Sequence, residues 1–545
     1  MRGATRVTWA LASSVAVALA AAACGGGDDD GGGTGSGDGV VRAFWTDPQN
    51  PIEPANTNEV QGGKVLDMAF RGLKRYDPET AKAENAMAES IDTTDQQNFT
   101  VKLEKGWKFS DGTDVTAHSF VDAWNYGALV TNKQISSYFF QFIEGYDDVH
   151  PDEGKPKAKK MSGLKVEDDH TFTVKLSQKF SLWPETLGYS AYAPLPEKFF
   201  TDHDGWLKKP VGNGPYKVDS YTKGQAMKLS KNEHYDGPDK PRNEGVELKV
   251  YTDQNTAYTD LQAGNLDVVD ELPAGQLKNA DKDLNGRYIN QPAGILQTVS
   301  FPFYDEKWSS EDMLPVRRGL SMAINREQVT KKIYHDTREP ATDLTSPVLK
   351  SAGGYKPGLC GDACEYDPEK AKKLIDDAGG LPGGKVTITS NVDTGSHRQW
   401  MEAVCNSIND TLGKNNACTV NPVPTFGEFR NSISQQKMTG LFRTGWQMDY
   451  PLIQNFLQPI FYTGGSSNDS HFSDKKVDDL MDEANELGDE GAAIAKFQEA
   501  EKRILDQMVA IPLWYQNGNA GYSSRVSDVK LNPFSVPVFT DIKVK

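Results

Sequence analysis

A chain of 545 residues is too long for one hydrophobic core, so two or three lobes are expected. With 37% hydrophobic and 25% charged residues, its composition is that of a globular protein and not of a disordered one. A net charge of −17 speaks against a nucleic-acid surface, which would need basic clusters.

Arg2 and Arg6 precede an apolar run over 9–23 that is too short to remain as a membrane-spanning helix. Residues 1–23 are therefore expected to be a signal peptide. The small residues Ala20 to Ala23 stand directly before Cys24. This arrangement resembles a bacterial lipoprotein signal, with Ala21 where that signal prefers Leu, and the resemblance implies that Cys24 is lipidated and becomes the mature N-terminus. After Cys24, residues 25–39 contain only Gly, Asp, Ser and Thr, so 24–39 reads as the lipidated cysteine and a flexible tether in which nothing can enter a core. No later run is long and apolar enough for a transmembrane helix.

The folded part begins with a short apolar strand over 40–45, followed by a Pro- and Asn-rich loop over 50–59. Residues 65–73 read as a short helix turning into a strand that ends near Tyr76. Phe99, Val101 and Leu103 alternate with polar residues, as a half-buried strand requires. The word Phe-Thr-Val-Lys-Leu occurs at 99–103 and again at 172–176, which predicts two strands of one sheet. Residues 115–130 read as a helix capped by Thr116. Gly212-Asn213-Gly214-Pro215 is a tight turn before a strand, and strands follow around 227–229 and 246–250. Residues 315–334 read as one helix. Asp367 and Pro368 open another, with Ala371, Leu374, Ile375 and Ala378 on one face. Val477, Leu480, Met481 and Ala484 form a similar stripe. Strands alternating with helices give a mixed α/β fold class.

Four cysteines follow the signal, Cys360, Cys364, Cys405 and Cys418, and an even number in an exported chain favours disulfides. Of the three connectivities, pairing of neighbours is the expectation. The histidines are scattered singly, so no metal site is expected.

The stretch 442–451 holds Arg443, Trp446, Asp449 and Tyr450. Its carboxylate can meet an ammonium and its guanidinium a carboxylate, so a ligand charged at both ends, such as a short peptide, would satisfy both. The plainer reading is a strand end with ordinary surface charges.

Several words then carry a resemblance. Phe99 through Gly106-Trp107, Phe109, Asp111-Gly112-Thr113 and Val115-Thr116-Ala117 to Phe120 and Trp124 is the most specific. Pro210 to Tyr216, Leu261 to Asp267, Val316 to Arg326 and Ala510 to Tyr515 follow in order. Together, over about 40–545, they resemble the extracytoplasmic solute-binding proteins of ABC peptide importers, the oligopeptide- and dipeptide-binding family. The resemblance implies a two-lobe periplasmic-binding-protein-like fold with a hinge and an extra subdomain. On this chain lobe I would be 40–69, 195–297 and 515–545, the subdomain 70–194 and lobe II 298–514. It implies closure of the lobes over the ligand.

It also implies a site. Trp446-Gln447-Met448-Asp449-Tyr450 matches the family word whose Asp receives a peptide's α-ammonium, and Arg443 holds the place of an arginine that meets a short peptide's carboxylate. Ser434 stands where a further family arginine would be. The early loop aligns with a family segment beside the peptide, which places Asn58 and Val60 at the ligand. Backbone hydrogen bonds would hold the peptide as in strand addition. The implied partners are a short peptide, a permease and ATPase complex and, through the anchor, the membrane. The receptor would be extracytoplasmic and monomeric, with no cofactor and no nucleic acid. Alternatives are the same fold binding a sugar, a metal chelate, an opine or a signalling peptide, or an exported hydrolase. Neither Gly-x-Ser-x-Gly nor His-Glu-x-x-His appears, so no enzyme is expected.

Overall fold

Polar–apolar alternation becomes sheet wherever one face finds a helix to cover it. The computed structural model describes residues 39–48, 50–151, 153–350, 353–392 and 396–545; the signal, Cys24 and nearly all of the tether lie outside them. The repeated words fall in neighbouring strands. Asn98–Leu103 and Thr171–Lys175 pair antiparallel, with Phe99 opposite Val174 and Val101 opposite Phe172. Ala88–Thr93 and Leu164–Asp168 complete a four-stranded sheet. The helix Ala117–Ala128 covers it, with Phe120 and Trp124 against Phe172. Thr116 caps that helix, and its N–H donates to Ser119 Oγ at 3.2 Å.

The largest sheet has eleven strands. From one edge they run Cys418–Val423, Val386–Asn391, Leu441–Gln447, Tyr288–Ser300, Ala510–Tyr522, Val268–Val269, Val40–Trp45, Gly245–Val250, Ala226–Lys231 and Tyr216–Thr222, with Arg338–Pro340 paired onto Ala510–Tyr522. Its middle is a pair of 13-residue antiparallel strands, Tyr288–Ser300 and Ala510–Tyr522. Their register shifts between Pro292 and Ile295, where the proline has no N–H to give the ladder. Strands from 386–447 lie on one side of this pair and strands from 40–269 on the other.

Two helices differ from expectation. The first starts at Val60 and runs to Ala69, five residues earlier than the pattern suggests. Gly62-Gly63 looks like a breaker, yet Gly62 serves the cap: the Glu59 carboxylate accepts the N–H groups of Gln61 and Gly62 at 2.8 and 2.9 Å. A Cβ at Gly62 would lie 2.5 Å from Glu59 Oε1. The expected helix over 315–334 is two, Leu314–Met322 and Arg326–Tyr334. The buried Arg326 guanidinium reaches back to the carbonyls of Ser321 and Cys364 and across to that of Pro512, at 3.0, 3.1 and 2.7 Å. Asn325 then caps a fresh start by accepting the Gln328 N–H.

Asp367 caps Pro368–Asp377, whose Ala371 and Ile375 are buried. In Lys475–Glu486, Val477, Met481 and Ala484 are buried. Cys360 is bonded to Cys364, and Cys405 to Cys418. The second bond ties the helix His397–Leu412 to the edge strand Cys418–Val423. No helix of the described residues is long and apolar enough to cross a membrane.

Candidate functional site

The strand Leu441–Gln447 lies against Tyr288–Ser300, with Arg443 opposite Val299 and Gln447 opposite Ile295. At its end the Met448 N–H donates to Gly294 O at 2.9 Å. A Cβ at Gly294 would sit 2.4 Å from Met448 Sδ, so a side chain there would make the Met448 side chain move. Asp449 follows, and the helix Ile453–Phe461 begins four residues later.

Asp449 opens onto a cavity of about 630 Å³. Asn58, Val60 and Gln447 line the same cavity. Asn58 is exposed and Val60 is 40% exposed, an apolar side chain left facing the space. Phe534, Val536, Val538 and Phe539 give another wall an apolar stretch. Gln447 Nε2 donates to Phe534 O at 3.1 Å and so ties the two walls.

The remaining expected residues lie elsewhere. Trp446 Nε1 donates to Asn455 Oδ1 at 2.9 Å, behind the carboxylate. Tyr450 is buried, donates to Gln454 Oε1 and borders a second cavity of about 250 Å³. Arg443 is not on the wall of the 630 Å³ cavity. Its Nε donates to Gln297 Oε1 at 3.1 Å, and its charge acts on Tyr334 beside Arg338. Four of the expected residues thus share one cavity, Asn58, Val60, Gln447 and Asp449.

Burial pushes the Asp449 carboxyl up to about 6, against hydrogen bonds from Asn455 and Tyr189 that favour its charged form. Asn455 Nδ2 donates to Asp449 Oδ2 at 3.0 Å. Among the described residues Asp449 has no ion pair. Tyr138, Tyr189 and Tyr450 are raised well above the usual phenol range, by burial first and by the Asp449 charge second. A half-buried carboxylate among tyrosines, with no cation of its own, attracts a cationic ligand.

Sequence reasoning missed three residues: Tyr189 and Arg71, which line the 630 Å³ cavity, and Asn455, which holds the Asp449 carboxylate. Tyr189 reaches Asp449 from 260 residues away, and nothing local announces it. Arg71 is placed by the turn at 212–214: Asn213 accepts the Arg71 N–H at 3.1 Å and donates to Arg71 O at 2.9 Å. The Arg71 guanidinium then pairs with Asp239 on the cavity wall. The signal for Asn455 is its place six residues after Asp449, at the start of a helix.

The family model of the bacterial extracellular solute-binding proteins, family 5, matches residues 82–468. The oligopeptide-binding protein OppA of Bacillus subtilis is 24% identical over 85% of this chain and 85% of its own length. The dipeptide-binding protein DppE of the same organism is 25% identical over 86% and 85%. The crystal structure of Haemophilus influenzae OppA in complex with RPPGFSPFR superposes with a TM-score of 0.76 at 20% identity, covering 93% of this chain and 99% of that one. The likeness to such structures shows the two-lobe periplasmic-binding-protein fold.

Proposed function

The chain belongs to the family 5 bacterial extracellular solute-binding proteins, and we propose that within this family it is a lipid-anchored receptor that captures short peptides and hands them to an ABC permease. The observation that carries this reading is Asp449, an acid with no ion pair among the described residues, on the wall of the 630 Å³ cavity. The peptide's α-ammonium supplies the missing charge. Asn58, Val60 and Gln447 line the space where its backbone would run. The lobes would divide at the long strand pair, with 40–69, 195–297 and 515–545 in one, 70–194 as its subdomain and 298–514 in the other, and would shut over the ligand. Cys24 would carry the lipid.

Calorimetry with a free-amine tripeptide tests the site. Asp449→Ala should weaken binding by tens-fold or more, since removing one partner of a desolvated pair costs about 2–5 kcal/mol. N-acetylation of the peptide should do the same to the parent protein. Undiminished affinity in both arms would remove Asp449 from the site. A second reading has one observation behind it: with Arg443 off the cavity wall, a cation that lacks a carboxylate also fits. Native mass spectrometry of purified protein separates the two, because the first expects a ladder of co-purifying short peptides and the second a single non-peptide mass.

A further inference from the structure

We propose that Asn455 is a positioning residue for Asp449: it fixes the aim of the carboxylate into the cavity and keeps it ionised while the cavity is empty. The inference rests on the peptide-capture reading and names what readies that site.

Asn455 is 1% exposed and sits in the first turn of Ile453–Phe461. Its amide makes three hydrogen bonds. Oδ1 accepts the indole N–H of Trp446 at 2.9 Å and the backbone N–H of Asp449 at 2.8 Å. Nδ2 donates to Asp449 Oδ2 at 3.0 Å. The network admits one orientation of the amide. A flipped side chain would set its NH₂ against two N–H donors and its oxygen against a carboxylate. One residue therefore grips both the main chain and the side chain of Asp449, and Trp446 locks the grip from behind.

The surroundings make that grip matter. The groups that act on the carboxylate are Tyr189, which donates a hydrogen bond, and Tyr76, Tyr138 and Tyr450, which feel its charge. They come from four separate parts of the chain, and none carries a positive charge. Burial favours the protonated acid, while the Asn455 and Tyr189 hydrogen bonds favour the anion. Without Asn455 the acid would take up a proton at a higher pH and meet an ammonium as a neutral group.

The experiment compares the parent with Asn455→Ala and Asn455→Asp, using Ala-Ala-Ala as the probe. Affinity is measured by calorimetry from pH 4.5 to 8, and the Asp449 carboxyl carbon is titrated by NMR in the ligand-free protein. In the parent, affinity falls as pH drops through about 6. In both variants the midpoint should move up, further in Asn455→Asp, where two carboxylates would face each other. At pH 6.5 the variants should lose more affinity than at pH 8. A loss of thermal stability alone, with the midpoint in place, would make Asn455 a packing residue and overturn the proposal. If Ala-Ala-Ala binds no form at any pH, the peptide reading is what fails, and the carbon titration still decides the role of Asn455. If Asn455→Ala does not fold, Asn455→Asp, which keeps an acceptor for Trp446 and for the Asp449 N–H, carries the test.

Discussion

Glu501 and Asp343 share one buried region and are satisfied very differently. Both are fully buried. Asp343 accepts from Thr342 Oγ1, Gly358 N, Leu359 N and Tyr515 Oη. Glu501 accepts from Leu344 N and Thr345 Oγ1, both on Oε1, and its Oε2 has no partner among the described residues. Burial first and the Asp343 charge second push the Glu501 carboxyl up to about 8. The native state therefore holds a proton that the unfolded chain releases above roughly pH 4.3. The stability from this group is complete below that pH and is lost as pH rises through about 8. Glu501→Gln, which mimics the protonated acid, should flatten this slope. Urea unfolding at pH 5 and pH 8.5 measures it: the variant should match the parent at the lower pH and exceed it at the higher. An unchanged slope would show that Glu501 is ionised in the folded protein.

Between elements, the main tie is Asp267. It is fully buried and accepts from Arg42 Nε, Arg525 Nε and Ser523 Oγ, each at 3.0 Å. It thereby joins the strand Val40–Trp45 to the chain just after Ala510–Tyr522. Burial raises its carboxyl, but the hydrogen bonds from Arg525 and Arg42 more than offset this and hold it at about 2. Its stabilisation is present above the unfolded value near 3.9 and is lost as pH falls toward about 2. Asp267→Asn should destabilise the protein by about 3 kcal/mol at neutral pH, since it leaves two guanidinium groups short of their anion. Denaturant titration checks this, and a loss below about 1 kcal/mol would show that the arginines find water instead. The disulfides act on the same scale. Cys405–Cys418 spans 13 residues and Cys360–Cys364 spans 4. Loop-closure entropy predicts a loss of about 3 kcal/mol for Cys405→Ser with Cys418→Ser, and about 2 kcal/mol for the shorter pair.

For the whole molecule, the charge on the cavity wall is informative. Its three basic residues are engaged: Arg71 with Asp239, Lys74 with Glu185 and Arg75 with Glu84. Asp67, Asp449 and Asp541 also line it, with no ion pair among the described residues. A second positive charge on the ligand should therefore be welcome. Ala-Lys-Ala is expected to bind several-fold more tightly than Ala-Glu-Ala at low salt, with the gap narrowing as salt screens it. Equal affinities would mean that the acids stay hydrated when the cavity fills.

The sequence alone determined the local elements whose reasons are local. Alternation set the strand pair at 99–103 and 172–176, Asp367-Pro368 set a helix start, and the word Trp446-Gln447-Met448-Asp449-Tyr450 singled out an acid. It misplaced the start of the first helix, expected at 65 and found at Val60, and it read two helices as one over 315–334. The first start is set by a local cap, the Glu59 carboxylate on the N–H groups of Gln61 and Gly62, which the apolar pattern does not register; the break in the second depends on three-dimensional packing, the buried Arg326 reaching Pro512. Tertiary structure alone decided that Asp449 faces a cavity, that Tyr189 and Asn455 share its carboxylate, and that Arg443 turns toward Gln297. The physical reason is range. Caps and alternation act over a few residues, whereas a carboxyl's burial and aim depend on groups that only folding brings beside it.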